Sequence, residues 1–351
     1  MTHLWVRAEH RAHEARVGVT PEGVAALVRA GLRVTVERSA QRIIGVEAFA
    51  EAGAEIAPEG SWPDARQEAV IFGLKELPKA DTALKHTHIM FGHAFKGQSD
   101  GIALLRRLKA GGGALLDLEY LVDEAGRRVA AFGYWAGYAG AAVALKCWAA
   151  QREGRQAGPV AAYDSSTHLL ADLQTELLGG GTHRPTALII GAKGRVGTGA
   201  ADLCTAMGVA TTRWDMEETQ NGGPFPQVLA HDLFFNCVVA RPGTPVFVPR
   251  GAGAMPRRLS VIGDIACDPG SDFNPVPVYD RETSWDAPAL RVHDTPPLDV
   301  TAIDNLPSLL PLESSEDFAA QLLPHLAALG GDETGVWARA RATYETHAAR
   351  L

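Results

Sequence analysis

Two residues combine a titratable side chain with a place where parallel sheets usually hold ligands. Lys75 stands in GLKE, just past the apolar run AVIFGL (69–74), and His93 stands in FGHAFK, within HIMFGHA (88–94). An amine and an imidazole differ in intrinsic proton affinity, so side by side they can divide the uptake and return of protons. The chain has only 7 lysines against 26 arginines. A lysine against that background carries weight, because lysine can lose its proton when desolvated and arginine effectively cannot. Each position also admits a plain reading: a solvated surface lysine, and a hydrogen-bonded structural histidine. Glu119 ends GALLDLE (113–119) and could tune the lysine by charge pairing, with Asp117 on the same face as the competing choice. Arg16, Arg127 and Arg128 could clamp substrate carboxylates, since a guanidinium fork matches a carboxylate with two hydrogen bonds. Lys96, close after His93, is either a further carboxylate ligand or a surface charge.

A second set of residues points to a nucleotide. The apolar run TALIIGA (186–192) leads into GAKGRVGTGA and then a helical stretch, with Gly191, Gly194 and Gly197 at the turn. Glycine there lets the backbone approach a pyrophosphate, and the helix N-terminus offers amides and the positive end of its dipole. The spacing is GxxGxxG rather than GxGxxG, which taken alone could be only a tight turn. The next strand, ATTRWD (210–215), ends in Asp215. An acidic residue about 20 positions past the glycines can bond the ribose hydroxyls and repel a 2′-phosphate, which favours NAD over NADP. Arg213 weakens that preference slightly. Asp304, in VTAIDNLPSLLP, could start a helix or face the nicotinamide. No GxSxG, HExxH or P-loop pattern is present, and no metal site is expected.

These residues need a scaffold, and the periodicity supplies one. HLWVRA (3–8) reads as a strand. Thr20 then reads as an N-cap with Pro21 at the first helical position, and RVTVE (33–37) as a strand after Gly31. A helix near 47–53, strands at 69–74 and 88–94, a helix near 99–110 and a strand at 113–119 continue the alternation. The segment 132–151 reads as a buried, alanine-rich helix whose Gly133, Gly137 and Gly140 allow close packing. A helix over 166–178 stops at Gly179, Gly180 and Gly181. The segment 336–350 reads as a final amphipathic helix that returns to the first block. Strands alternating with helices imply parallel sheets covered on both faces.

Length and composition bound the rest. A chain of 351 residues suggests about two domains. With 46% hydrophobic and 21% charged residues, it can bury a sizeable core. The net charge of −8 argues against a nucleic-acid partner. Cys147, Cys204, Cys237 and Cys267 form no CxxC pair and read as buried thiols of a reduced intracellular protein. No secretory leader and no membrane span are expected, so the expected location is the cytoplasm.

The stretches RAEHRAHEARVGVTPEGV, GLKELP, FGHAFK, DLEYLVDEAGRRVAAFGYWAGYAGAA, LIIGAKGRVGTGA, NGGPF and IDNLPSLLP, in this order, resemble the NAD-dependent, lysine-forming saccharopine dehydrogenases. They cover nearly the whole chain, and GRRVAAFG and IDNLPSLLP are specific. The wider group includes alanine dehydrogenase and a related transhydrogenase domain. The resemblance implies an α/β fold: two Rossmann-like domains with parallel twisted sheets and an interdomain cleft. Residues 1–131 with 313–351 would bind substrate, and residues 132–312 would bind NAD. Lys75 and His93 match the family's acid–base pair, and Glu119 matches the acidic residue near that lysine. Arg16, Lys96 and Arg128 match carboxylate ligands. Gly191, Gly194, Arg195, Val196, Gly197, Asp215, Thr219, Ile265, Ile303, Asp304, Asn305 and Leu306 match the cofactor site, although the family usually has His at the position of Asn305. The implied reaction is oxidative deamination of saccharopine to L-lysine and 2-oxoglutarate, by a monomer or weak homodimer. The competing readings are an opine-type or alanine-dehydrogenase-like enzyme with another amino-acid substrate, and a non-catalytic NAD-binding sensor.

Overall fold

A computed structural model of the chain describes residues 1–179, 183–331 and 334–351. The described residues form two compact units, Met1–Ala131 with Pro311–Leu351, and Phe132–Leu310. The first unit opens with β1 (His3–Val6), α1 (Pro21–Arg29), β2 (Arg33–Glu37), α2 (Val46–Glu51) and β3 (Glu55–Ala57). It continues with β4 (Val70–Phe72), β5 (Thr87–Met90), α3 (Ser99–Gly111) and β6 (Ala114–Asp117). All its strand pairs are parallel, in the order β3-β2-β1-β4-β5-β6. The chain therefore winds outward from β1 in one direction and from β4 in the other. The loops leaving those two strands diverge, and the crevice between them is where such sheets bind ligands.

Local chemistry explains where these elements start and stop. The Thr20 side chain accepts the N–H of Gly23 at 3.2 Å and Pro21 occupies the first turn, as the sequence predicts. The strands are apolar on both faces because helices cover both: Leu4, Val36, Ile71 and Ile89 are all fully buried. β5 stops at Met90 although the apolar run continues to residue 94. His93 has a left-handed φ of 48°, which no strand accommodates.

The second unit holds α4 (Gly133–Arg152), α5 (Ser166–Gly179), β7 (Thr186–Ile190), α6 (Arg195–Ala206), β8 (Ala210–Trp214), α7 (Met216–Thr219) and α8 (Pro226–Leu229). Then follow β9 (Leu233–Asn236), β10 (Val261–Asp264), β11 (Leu290–His293) and β12 (Leu298–Thr301). Their order is β11-β12-β10-β9-β7-β8, parallel except for β11 against β12. Here the winding reverses between β7 and β9. The glycines of α4 do what close packing requires: a Cβ on Gly137 would lie 1.8 Å from the Val196 carbonyl oxygen, and one on Gly199 would lie 1.9 Å from that of Tyr134. α4 and α6 thus touch backbone to backbone. Of the glycines expected to stop α5, Gly180 and Gly181 lie outside the described residues.

The chain returns to the first unit with α9 (Pro311–Ala327) and α10 (Val336–Ala348). The Tyr344 hydroxyl donates to the Gly113 carbonyl at 3.0 Å, which ties α10 to the start of β6. No helix among the described residues is long and apolar enough to cross a membrane. The four cysteines form no disulfide. Cys147 and Cys204 are buried as expected, whereas Cys237 and Cys267 are only partly covered.

Candidate active site

In the first unit the ends of β4, β5 and β6 bring the expected residues to one edge of the sheet. Lys75 is the third residue past β4, and its neighbourhood is densely charged. Glu14 is fully buried and bonded to Arg16, by Nε at 2.8 Å and Nη2 at 2.6 Å. Burial alone would raise the Glu14 carboxyl, but the charge and hydrogen bonds of Arg16 and the charge of Lys75 hold it below the usual range. Arg16 is itself buried, with two guanidinium nitrogens committed to Glu14.

His93 is about half exposed, and its Nδ1 lies 3.9 Å from Glu119 Oε2. Lys96 Nζ donates to Glu119 Oε1 at 2.9 Å, and that hydrogen bond holds the Lys96 amine above its ordinary value. Glu119, the acidic residue expected to tune Lys75, engages Lys96 and His93, and the Lys75 charge also helps to lower Glu14. The left-handed backbone of His93 costs about 1–2 kcal/mol and is imposed by its neighbours. The Gly92 amide donates to Asp117 Oδ2 at 3.2 Å. Gly101, in the first turn of α3, packs so close that a Cβ there would lie 2.8 Å from the His93 carbonyl oxygen. Asp117, the competitor of Glu119, is fully buried and also accepts the Glu119 amide at 2.9 Å. It holds the turns that present His93 and Glu119, and burial pushes its carboxyl up to about 6. Arg128 is exposed, and Arg127 pairs with Asp123 at 3.1 Å.

In the second unit the glycine turn has the shape a pyrophosphate requires. Gly191 has φ +87°, and a Cβ on Gly197 would lie 2.2 Å from the Gly191 carbonyl oxygen. Gly194 caps α6 without a side chain, so the amides of Val196 and Gly197 are available to a ligand. Asp215 ends β8. Its Oδ2 accepts the Lys193 amide at 2.9 Å and its Oδ1 accepts the Met216 amide at 2.9 Å, which fixes the carboxylate beside the turn. Ile190, Gly191, Asp215, Thr219 and Val238 line a pocket of about 370 Å³. Arg213 points to Thr211, 3.4 Å away. These features fit a dinucleotide with free ribose hydroxyls.

The remaining cofactor candidates divide by burial. Ile265 and Leu306 both pack over Gly140 of α4, and Ile303 is buried in the same core. Asn305 donates from Nδ2 to Ser308 Oγ at 2.7 Å, while Asp304 is the exposed residue of that segment.

Sequence reasoning passed over three features. Glu37 is fully buried and accepts four donors: Trp5 Nε1 and the amides of Ala8, Gly60 and Trp62, at 2.7–3.0 Å. Arg7 and Glu9 pair at 3.2 Å beside Lys75. Asp264, raised to about 6 by burial, joins Asn236 and the Tyr279 hydroxyl at 2.8 Å each. Asn236 in turn accepts the amide of Val238 at 3.1 Å, which shapes the pocket beside the glycine turn. The signal for the second was present: Arg7 and Glu9 stand in RAEHRAHEAR, charged residues that follow an apolar strand with no surface pattern of their own.

Comparison with known proteins gives a consistent picture. Residues 5–139 match the family described as alanine dehydrogenase/PNT, N-terminal domain. The chain is 42% identical to the saccharopine dehydrogenase (NAD(+), L-lysine-forming) of Schizosaccharomyces pombe, covering 99% of each chain. It is 44% identical to the protein of that name from Emericella nidulans, over 99% of this chain and 98% of the relative. Among solved structures, an L-alanine dehydrogenase superimposes with a TM-score of 0.69 at 19% identity, over 98% of this chain and 94% of that one. A transhydrogenase from Sinorhizobium meliloti superimposes with a TM-score of 0.65 at 14% identity, covering 96% and 97%. At those identities the likeness shows the α/β fold of two mostly parallel sheets.

Proposed function

The chain belongs to the NAD-dependent, lysine-forming saccharopine dehydrogenases, and on that basis we propose that it interconverts saccharopine and water with L-lysine and 2-oxoglutarate. The carrying observation is the full-length match, with Lys75 and His93 standing past the neighbouring parallel strands β4 and β5.

NAD, when bound, supplies the hydride acceptor, and Gly191, Gly194, Gly197 and Asp215 would hold it. Everything else falls to this chain's own residues. Lys75 takes the proton of the secondary amine as the carbon beside it is oxidised. His93 takes a proton from the water that adds to the imine and returns one to the departing amine of lysine. Two groups of different proton affinity are needed, because one must accept while the other can donate. Saccharopine carries three carboxylates, and Lys96, Arg128 and Arg16 are assigned to them. Thr219, Ile265, Ile303, Asp304, Asn305 and Leu306 complete the cofactor site. The same reading takes the protein as cytoplasmic, a monomer or weak homodimer, and without a nucleic-acid or membrane partner, in keeping with its net charge of −8.

The test mixes the purified protein with NADH, L-lysine and 2-oxoglutarate and follows loss of the reduced cofactor's absorbance, with ornithine, alanine and pyruvate run alongside. Loss of NADH is expected with lysine and 2-oxoglutarate. Turnover confined to another amine or oxoacid would reassign the substrate, and NADH binding without any turnover would favour a sensor.

A further inference from the structure

Lys75 is held by its main chain, on both sides, by one buried ion pair. Arg7 and Glu9 leave β1, and Lys75 leaves β4, at the point where the winding of the sheet reverses. Glu9 Oε1 accepts the Leu74 amide at 2.6 Å, and Oε2 accepts the Lys75 amide at 3.2 Å and Arg7 Nη1–H at 3.2 Å. Arg7 Nη2 donates to the Lys75 carbonyl oxygen. The two side chains are 2% and 7% exposed. Gly73 shows how closely the arginine fits: a Cβ there would lie 2.4 Å from the guanidinium carbon. The segment that carries the pair is fixed in turn, by Gln41 Nε2 donating to the Glu9 carbonyl at 2.5 Å and Arg42 Nη2 to that of Arg7 at 3.4 Å.

From this arrangement we infer that Arg7 and Glu9 are positioning residues for Lys75, which set the point from which its amine reaches the reacting atoms. An ion pair that served only folding would need no tie to both polar groups of a single residue. Charge-assisted bonds from buried partners fix a loop more firmly than water can, and small misplacements of a proton-transfer group are costly in rate. The inference rests on Lys75 handling a proton in the reaction proposed above.

The test compares Glu9→Gln and the double variant Arg7→Met/Glu9→Leu with Lys75→Met. Gln keeps the size and one acceptor oxygen, and the double variant removes both charges without stranding either. Both are expected to keep NADH binding, to lose at least about tenfold in kcat, and to shift the limb of the pH–rate profile that Lys75→Met abolishes. Folded variants with wild-type kcat and an unmoved pH profile, or with a lower Tm alone, would overturn the positioning role while Lys75→Met stays inactive. Full turnover by Lys75→Met would instead remove the reading of Lys75 itself. If neither variant folds, amide hydrogen exchange of the wild-type protein decides. The Lys75 amide should exchange as slowly as those of β4, and exchange at the rate of an exposed loop overturns the clamp.

Discussion

Lys96 and Glu119 meet in a 2.9 Å hydrogen-bonded ion pair, with the His93 ring 3.9 Å from the other carboxylate oxygen. Lys96 is more than half exposed, and such a pair contributes only about 0–1 kcal/mol to stability. The proposed function assigns Lys96 to a substrate carboxylate instead. Lys96→Met should therefore leave Tm nearly unchanged while raising KM for the carboxylate substrate by roughly tenfold, the worth of one charge-assisted hydrogen bond. Steady-state kinetics and a melting curve on the same sample check it. An unchanged KM would remove Lys96 from the substrate site.

Lys75→Met removes the amine and keeps most of the stem. If that amine carries a proton in the reaction, kcat should fall by about 10²–10⁴-fold. NADH binding, assigned to residues of the second unit, should persist in a fluorescence titration. Near-normal turnover would take Lys75 out of the chemistry.

Asp215 presents a fixed carboxylate beside the glycine turn through its bonds to the Lys193 and Met216 amides. Asp215→Ser removes the charge that the proposed function sets against the ribose. kcat/KM for NADH should fall by about 10- to 100-fold, the range for hydrogen bonds to a charged group. The ratio of NADPH to NADH activity should rise. A ratio that stays put would place cofactor discrimination elsewhere.

His88 is buried, and neither ring nitrogen has a hydrogen-bond partner among the described residues. Burial first, and then the charge of Arg7, push it down to about 3. The unfolded chain binds this proton near pH 6.5, so between those values it holds a proton that the folded state refuses. The contribution of neutral His88 is thus complete above about pH 6.5 and is lost as pH falls toward about 3. Trp62 packs edge-on at 5.1 Å, a contact a phenyl ring can keep. His88→Phe should flatten the fall of Tm with acidification across that window, and parallel curves for the two proteins would count against it.

Gly137 leaves no room for a methyl group against the Val196 carbonyl oxygen. Gly137→Ala should force α4 and α6 apart and cost about 1–3 kcal/mol or more, as overpacking does. Because α6 begins at the glycine turn, NADH affinity should weaken along with Tm. A drop in Tm with unchanged affinity would show that the turn moves independently of the helix contact.

What the sequence by itself determined is local or patterned. The cap at Thr20 and Pro21, the strand 33–37, the long helix of 132–151 and the glycine turn followed by Asp215 all arise from near neighbours, and a few residues suffice to specify them. The short strands β9, β10 and β12 were there to be read as the apolar runs in LFFN, VIGD and LDVT, but runs of four cannot be told from other buried segments by periodicity. Only the tertiary structure decided which charges meet. Glu9 and Lys75 are 66 positions apart and Lys96 and Glu119 are 23 apart, joined because the sheet order sets β1 beside β4 and β5 beside β6. The same topology buried Asp117 under the turns it holds and left Glu119 partly exposed, although both stand on one short stretch of chain. Strand order is a property of non-local pairing, and a carboxylate's role follows from what that pairing brings within about 3 Å of it.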